Sequence, residues 1–218
     1  MKNYDVILFD LDGTLTDSSP GIINSIVYAL KKYGISVEDT AELRKFLGPP
    51  LHESFKDFYG FDENKSMEAV AFYREYFSTK GLLENDVYKG ILDLLQKLND
   101  KGKRLILATS KPQKFTDRIM DHFDLAKYFE FIAGSNMDGT RSKKAEVIAY
   151  ALHECQITDK SKVVMIGDRE HDIIGAKAVG IDSVGIEYGY GDYNELHNAG
   201  ATYIVKTVDE LKAMICDE

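Results

Sequence analysis

The feature that most constrains this chain lies within its first fourteen residues. Val6-Ile7-Leu8-Phe9 is an unbroken apolar run that ends in Asp10-Leu11-Asp12-Gly13-Thr14. Apolar residues without alternation read as a strand buried on both faces, the habit of a parallel sheet. Asp10 and Asp12 stand two apart, so strand periodicity turns both toward one side at the strand's carboxyl end. In open α/β sheets that edge is where ligands bind. Two carboxylates at the end of a buried strand are costly unless paired, and a cation is their natural partner. A solvated Asp-Gly turn would explain the segment equally well in isolation, so the remainder of the chain decides between the two.

That remainder has two characters. After Thr14, Asp17-Ser18-Ser19-Pro20 is a helix-start signal, a capping side chain followed by Pro in the first turn. Ile22, Ile23, Ile26, Val27 and Leu30 then recur at helical spacing, and further helical patterns cover 41–47, 51–59 and 67–77. About 70 residues pass without a convincing strand, so residues 16–84 are expected to form a helical cap domain inserted into a core of 1–15 and 85–218. From Asp86 onward strands and helices alternate. Strands are expected at 104–108, 129–133, 163–166, 182–186 and 203–205, with helices between the first four of them and a last helix at 208–215. This is the pattern of an α/β protein with a doubly wound parallel sheet.

Composition excludes several classes of function. The 218 residues carry 27 basic and 36 acidic side chains, a net charge of −9, which argues against a nucleic-acid polymer as partner. Cys155 and Cys216 have neither metal nor redox spacing. No apolar run approaches the roughly 20 residues of a membrane span, and the buried strand begins too early for a secretory leader. A cytoplasmic protein is expected, a monomer or homodimer, and the sequon Asn64-Lys65-Ser66 is read as chance.

Two further strand ends and one helix start carry reactive side chains. The strand at 104–108 runs into Thr109-Ser110-Lys111-Pro112, whose hydroxyls, with the N–H groups before the next helix, could hold a phosphate oxygen. The strand at 163–166 runs into Gly167-Asp168-Arg169-Glu170-His171-Asp172, two more carboxylates four apart. Between them, Lys143-Lys144 sits at a helix start, where a cation opposes the macrodipole and calls for an anionic partner. Asp10, Asp12 and Asp168 offer hard oxygen ligands that suit Mg²⁺. Thr109 and a lysine supply anion-binding groups. A carboxylate nucleophile beside a second carboxylate and Mg²⁺ is a constellation for phosphoryl transfer.

Phe9-Asp10-Leu11-Asp12-Gly13-Thr14-Leu15, Thr109, a downstream lysine and Gly167-Asp168 through Asp172 resemble, in order, the four motifs of the haloacid dehalogenase-like hydrolases. Nearly the whole chain is covered, and the subgroup it resembles is that of phosphoglycolate phosphatase-like and 5'-nucleotidase-like enzymes. The resemblance implies a Rossmann-like core and a Mg²⁺-dependent phosphatase of small phosphorylated metabolites that works through an aspartyl-phosphate. It implies Asp10 as nucleophile and Asp12 as acid and then base. Mg²⁺ would be held by Asp10, Asp168 and the Asp12 carbonyl, with Asp172 steadying them. Thr109, Ser110 and the lysine would bind phosphate. The chain departs from the family pattern in having Ser110 where relatives have Asn, and Lys143-Lys144-Ala145 where Lys-Pro is usual; position nearer the helix favours Lys144. A sugar-phosphate mutase of the same superfamily and a binding module without turnover are the alternatives.

The stiff segment Gly48-Pro49-Pro50-Leu51-His52 joins two helical patterns of the cap, and Pro50, Leu51 and His52 are expected to set substrate specificity. The Gly- and Tyr-rich stretch from Gly185 to Gly191 reads as a surface loop, and His171 as a bystander.

Overall fold

The computed structural model describes residues 2–216. Its first strand, β1 (Val6–Phe9), is buried along its whole length and lies in the middle of a six-stranded sheet. The other strands of that sheet are β4 (Arg104–Pro112), β5 (Phe131–Ser135), β6 (Val163–Gly167), β7 (Asp182–Ile186) and β8 (Tyr203–Val205). They run parallel in the order β5-β4-β1-β6-β7-β8. After β1 the chain builds outward on one side through β4 and β5, then returns to the other side with β6, so the topological switch falls at β1. In register, Phe9 pairs with Leu107 on one side and with Ile166 on the other. The residues that follow each of these three strands therefore emerge together at one edge. Two short strands, β2 (Thr16–Asp17) and β3 (Asp86–Val87), form a separate ribbon.

Strand alternation divides the core between the two faces of the sheet. Val6 and Leu8 join Ile106, Ala108, Val163 and Met165 in one cluster with Val147, Ile148, Ala151 and Ala176. The latter four belong to helices α6 (Lys144–Glu154) and α7 (Glu170–Val179). On α4 (Ile91–Asp100) the residues Ile91, Leu94, Leu95 and Leu98, at helical spacing, are fully buried. Truncating one such core Leu to Ala costs about 2–5 kcal/mol.

The chain divides into two compact units, one of residues 1–17 and 87–218 and one of residues 18–86. The second contains α1 (Ser19–Lys31), a 3₁₀ turn at Thr40–Phe46, α2 (Leu51–Tyr59) and α3 (Glu63–Phe77). Phe46, Phe55, Phe61 and Phe77 are buried in it, with Phe46 edge-on to Phe55. The first unit holds, besides α4, α6 and α7, helices α5 (Gln113–His122), α8 (Tyr193–Ala199) and α9 (Val208–Cys216).

Several local expectations differ from what is seen. The helical pattern at 41–47 is met by a 3₁₀ turn over Thr40–Phe46 instead of an α-helix, and Leu47 is already extended. The helix expected at 67–77 starts at Glu63, because the Asp62 side chain accepts a hydrogen bond from Lys65 N at 2.8 Å. Ser18 precedes α1 but makes no capping bond through its side chain. Pairing decides the rest. β5 begins at Phe131 and not at residue 129, and β4 continues past Ala108 to Pro112 with a register shift against β5. Helix α8 has no counterpart in the sequence reading; its seven residues sit between Asp192, which caps Glu195 N, and the left-handed Gly200. No helix among the described residues is long and apolar enough to cross a membrane.

Candidate active site

The strand-end residues of the site all lie in the first unit. β1 delivers Asp10, whose N–H donates to the Ile166 carbonyl at 2.9 Å and so ties the end of β1 to the end of β6. One residue beyond β6 stands Asp168, and Asp172 follows in the first turn of α7; both are fully buried. Asp10, Asp168 and Asp172 each offer a carboxylate oxygen within 4.8 Å of the others. The Lys144 ammonium, 4 % exposed, bridges two of them, with Nζ 2.8 Å from Asp10 Oδ1 and 2.8 Å from Asp172 Oδ1. It also donates to the Ala108 carbonyl at 3.1 Å. Lys143, its neighbour, is exposed and stands at the N-cap of α6.

These contacts perturb the charges. Burial pushes the Asp10 carboxyl up to about 6; Lys144 opposes the shift and Asp172 adds to it. Burial also raises Asp168 well above the usual carboxylate range, helped by Asp172 and Asp10 and opposed by the hydrogen bond from Tyr190 N. For Lys144 burial acts downward, yet Asp10 and Asp172 hold the ammonium above its ordinary value. Three carboxylates thus stand within 4.8 Å of one another, and one lysine pairs with two of them. An excess of buried negative charge among hard oxygen donors fits a small divalent cation such as Mg²⁺. The Asp12 side chain is not part of this group, although the sequence offers its carboxylate as a hard oxygen ligand beside Asp10 and Asp168; the family resemblance gives Asp12 a ligand role through its carbonyl. Asp172, expected to stand behind the ligands, offers a carboxylate oxygen within 4.8 Å of those of Asp10 and Asp168.

Asp12 has a cation of its own. Lys111 Nζ donates to Asp12 Oδ2 at 2.6 Å, while Asp12 Oδ1 is buried without a hydrogen-bond partner among the described residues. Thr109 is buried, and its Oγ1 accepts from Lys111 N at 3.2 Å. Ser110 has an exposed side chain, and its carbonyl accepts from Ser135 Oγ at 2.8 Å. Pro50, exposed, and Leu51 and His52, partly buried, lie at the start of α2 in the second unit.

The stretch read as a surface loop is instead packed onto the site. Tyr190 N donates to Asp168 Oδ2 at 2.8 Å, and the Tyr188 hydroxyl donates to the Thr14 carbonyl at 3.1 Å. Thr14 Oγ1 in turn donates to Asp168 Oδ1 at 3.3 Å. A Cβ on Gly189 would lie 2.3 Å from Asp168 Cβ and 2.4 Å from the Gly13 carbonyl oxygen. Gly13 has φ +79°, and a Cβ there would meet Asp168 Oδ2 at 2.2 Å. The backbone therefore closes around Asp168 at distances only glycine permits. The signal available in the sequence was the close Gly-Tyr alternation after a buried strand; for Lys111 it was spacing, two residues beyond Thr109 on one strand.

Three strand-end carboxylates with a fourth in the first turn of α7, a buried lysine and a parallel sheet switching at β1 coincide with a known family. The family described as haloacid dehalogenase-like hydrolase matches residues 7–186. The chain belongs to the haloacid dehalogenase-like hydrolases. A 5'-nucleotidase of Pseudomonas aeruginosa is 43% identical over 212 residues, covering 97% of this chain and 96% of that protein. The tyrosine-protein kinase PtkA of Mycobacterium tuberculosis is 39% identical over 213 residues, covering 97% of this chain and 72% of that protein. A crystal structure from Clostridium acetobutylicum, described as a predicted phosphatase, superposes with a TM-score of 0.93 at 50% identity and covers 100% of both chains. Within the haloacid dehalogenase-like hydrolases the chain groups with phosphatases, hydrolases of phosphoric monoesters.

Proposed function

We propose that this phosphatase hydrolyses small phosphomonoesters, phosphoglycolate- or nucleoside monophosphate-like, with Mg²⁺ bound, through a phosphorylated Asp10. The observation that carries this reading is the division of labour among the carboxylates. Asp10 shares Lys144 with Asp172 and stands with Asp168 in a cation-seeking group, whereas Asp12 is held apart by Lys111. One carboxylate is thereby set for attack and the other for proton transfer. Asp10, Asp168 and the Asp12 carbonyl would hold Mg²⁺, with Asp172 beside them. When bound, the ion supplies positive charge that offsets repulsion between a carboxylate and a phosphate dianion.

In the first step an Asp10 oxygen forms a bond to phosphorus as the bond to the leaving oxygen breaks, and Asp12 gives that oxygen a proton. In the second, Asp12 takes a proton from water. The water oxygen bonds to phosphorus, the phosphorus–Asp10 bond breaks, and inorganic phosphate departs. Lys144 neutralises Asp10 before attack and the phosphoryl group after it, while Thr109 and Ser110 supply hydroxyl donors at the strand end. Residues 18–86 act as the cap, in which Pro50, Leu51 and His52 discriminate between leaving groups.

The test is a Mg²⁺ assay of the purified protein against phosphoglycolate, nucleoside monophosphates, sugar phosphates and an aryl phosphate, with acid quenching to trap phosphoprotein. Turnover with label on Asp10, lost in Asp10→Asn, is expected. Undiminished activity of Asp10→Asn would overturn the covalent route. A kinase reading, drawn from the name of the mycobacterial relative, predicts transfer from ATP to a tyrosine peptide faster than hydrolysis; the same panel with ATP decides it.

A further inference from the structure

Lys111 brings a second ammonium into the site, and the mechanism above leaves it without a chemical task. A lysine is seldom buried unless paired, yet this side chain is only 7 % exposed. Its backbone is pinned on both sides: its N–H donates to Thr109 Oγ1 at 3.2 Å, and its carbonyl accepts from Thr116 Oγ1 at 3.3 Å. It stands near the end of β4, within the stretch between Ala108 and Pro112 where the register against β5 shifts. That irregularity aims a residue beyond the regular strand end. What Lys111 meets there is Asp12 Oδ2, at 2.6 Å. Lys144 forms its ion pairs with Asp10 and Asp172, so the two lysines serve different carboxylates.

The two oxygens of Asp12 are consequently unlike. Oδ2 is held by an ammonium, whereas Oδ1 is buried with no hydrogen-bond partner among the described residues. Rotation about the terminal bond of an aspartate is soft and roughly two-fold, so an unheld carboxylate exchanges its oxygens freely. A buried acceptor without a partner is expensive, and it is tolerated where a substrate group will complete it.

We propose that Lys111 is a positioning residue that clamps Asp12 through Oδ2 and leaves Oδ1 as the oxygen that carries the proton in both steps. This rests on the phosphatase reading, with Asp12 as acid and base. In the first step the Oδ1–H bond breaks and the proton goes to the leaving oxygen; in the second, Oδ1 takes a proton from water. Lys111 changes no bond of its own. It removes the rotational freedom that would otherwise misalign the transfer, an effect worth up to about 100-fold for a group displaced by 1 Å.

The experiment compares wild type, Lys111→Met, Lys111→Arg and Asp12→Asn in Mg²⁺ with two substrates. One is an alkyl phosphate, whose poor leaving group needs protonation; the other is p-nitrophenyl phosphate, which needs little. Lys111→Met should lower kcat on the alkyl ester about 100-fold with KM within about threefold. With p-nitrophenyl phosphate it should still release one equivalent of nitrophenolate in a rapid burst, followed by slow turnover, because activation of water still needs Asp12. Lys111→Arg should recover at least about a tenth of wild-type kcat, since a guanidinium also holds a carboxylate oxygen. In an Asp12→Asn background, Lys111→Met should cost less than about threefold more.

Equal losses on both esters without a burst, a change in KM alone, or full additivity with Asp12→Asn would each overturn the proposal. Thermal melting checks each variant, and if Lys111→Met does not fold, Lys111→Gln carries the same comparison. Asp10→Asn separates the two levels of inference. If wild type turns over and Asp10→Asn does not, the phosphatase reading stands whatever Lys111 does; if wild type cleaves no phosphoester, both fall.

Discussion

Gly189→Ala is a substitution of one methyl group whose effect follows from distances alone. The new Cβ would lie 2.3 Å from Asp168 Cβ and 2.4 Å from the Gly13 carbonyl oxygen, against an ordinary contact of 3.4 Å or more. About 1 Å of separation must therefore be found between the loop and Asp168. Neither neighbour is the free end of a flexible side chain. One is the first carbon of Asp168, the other main chain of the Gly13 turn. The next residue along, Tyr190, donates its N–H to Asp168 Oδ2 at 2.8 Å, so a loop pushed outward loosens that bond as well. A shift of 1 Å in a positioning element costs about 100-fold in rate, and loss of a group that orients a metal ligand costs about 10–100-fold in metal affinity. The assay is a Mg²⁺ titration of p-nitrophenyl phosphate hydrolysis. A lower kcat and an increase of at least about tenfold in the half-saturating Mg²⁺ concentration are expected. Gly180→Ala is the control. Gly180 ends α7 at φ +77°, and a Cβ added there would have nothing within 4 Å, so the substitution should cost about 1 kcal/mol of stability and leave kinetics unchanged. Wild-type kcat and Mg²⁺ dependence in Gly189→Ala would refute the argument that this loop fixes Asp168.

Lys144→Met leaves Asp10 and Asp172 buried without their shared cation, and it should destabilise the metal-free protein by about 3 kcal/mol at pH 8. Part of that loss should return by pH 5 as the Asp10 carboxyl protonates, read by denaturant unfolding at both pH values. Asp10 in the metal-free fold titrates at about 6, above its ordinary value of 3.8. The folded state therefore holds this proton more tightly than the unfolded chain. Its contribution to stability is full below 3.8 and is lost as pH rises through about 6, while Mg²⁺ must displace the proton. Calorimetry should show proton release on Mg²⁺ binding near pH 6 that fades by pH 8; binding without proton release at pH 6 would contradict the assignment. Saturating Mg²⁺ at 100 times its Kd should stabilise the fold by about 2.7 kcal/mol, and excess EDTA should abolish turnover. Substitutions at Leu51 or His52 should change kcat/KM ratios among substrates more than the rate with p-nitrophenyl phosphate, and an unaltered ranking would assign specificity elsewhere.

The sequence by itself determined the parallel sheet and the edge at which its chemistry collects. Val6–Phe9 and Val163–Gly167 are apolar throughout, and apolar runs of that length have no stable place except between two layers of helix. Because β1, β4 and β6 are adjacent and in register, residues just beyond each run meet at one edge, which is why Asp10, Thr109 and Asp168 were readable together. Helix boundaries set by caps were less legible: Asp62 moved the start of α3 to Glu63, and short α8 depends on Asp192 and Gly200 rather than on periodicity. What only tertiary structure decided were the partners. Lys143 and Lys144 differ by one position in sequence, and a turn of helix buries the second against Asp10 and Asp172 while leaving the first exposed. The pairing of Lys111 with Asp12 spans 99 residues and needs the extension of β4 beyond Ala108. The Gly-Tyr alternation between Gly185 and Gly191 marks that stretch as unusual without naming Asp168 as its partner, because a backbone amide recognises a carboxylate through its position and not through its side chain. Periodicity records which face of an element is buried; it carries no information about which distant group will satisfy a buried charge.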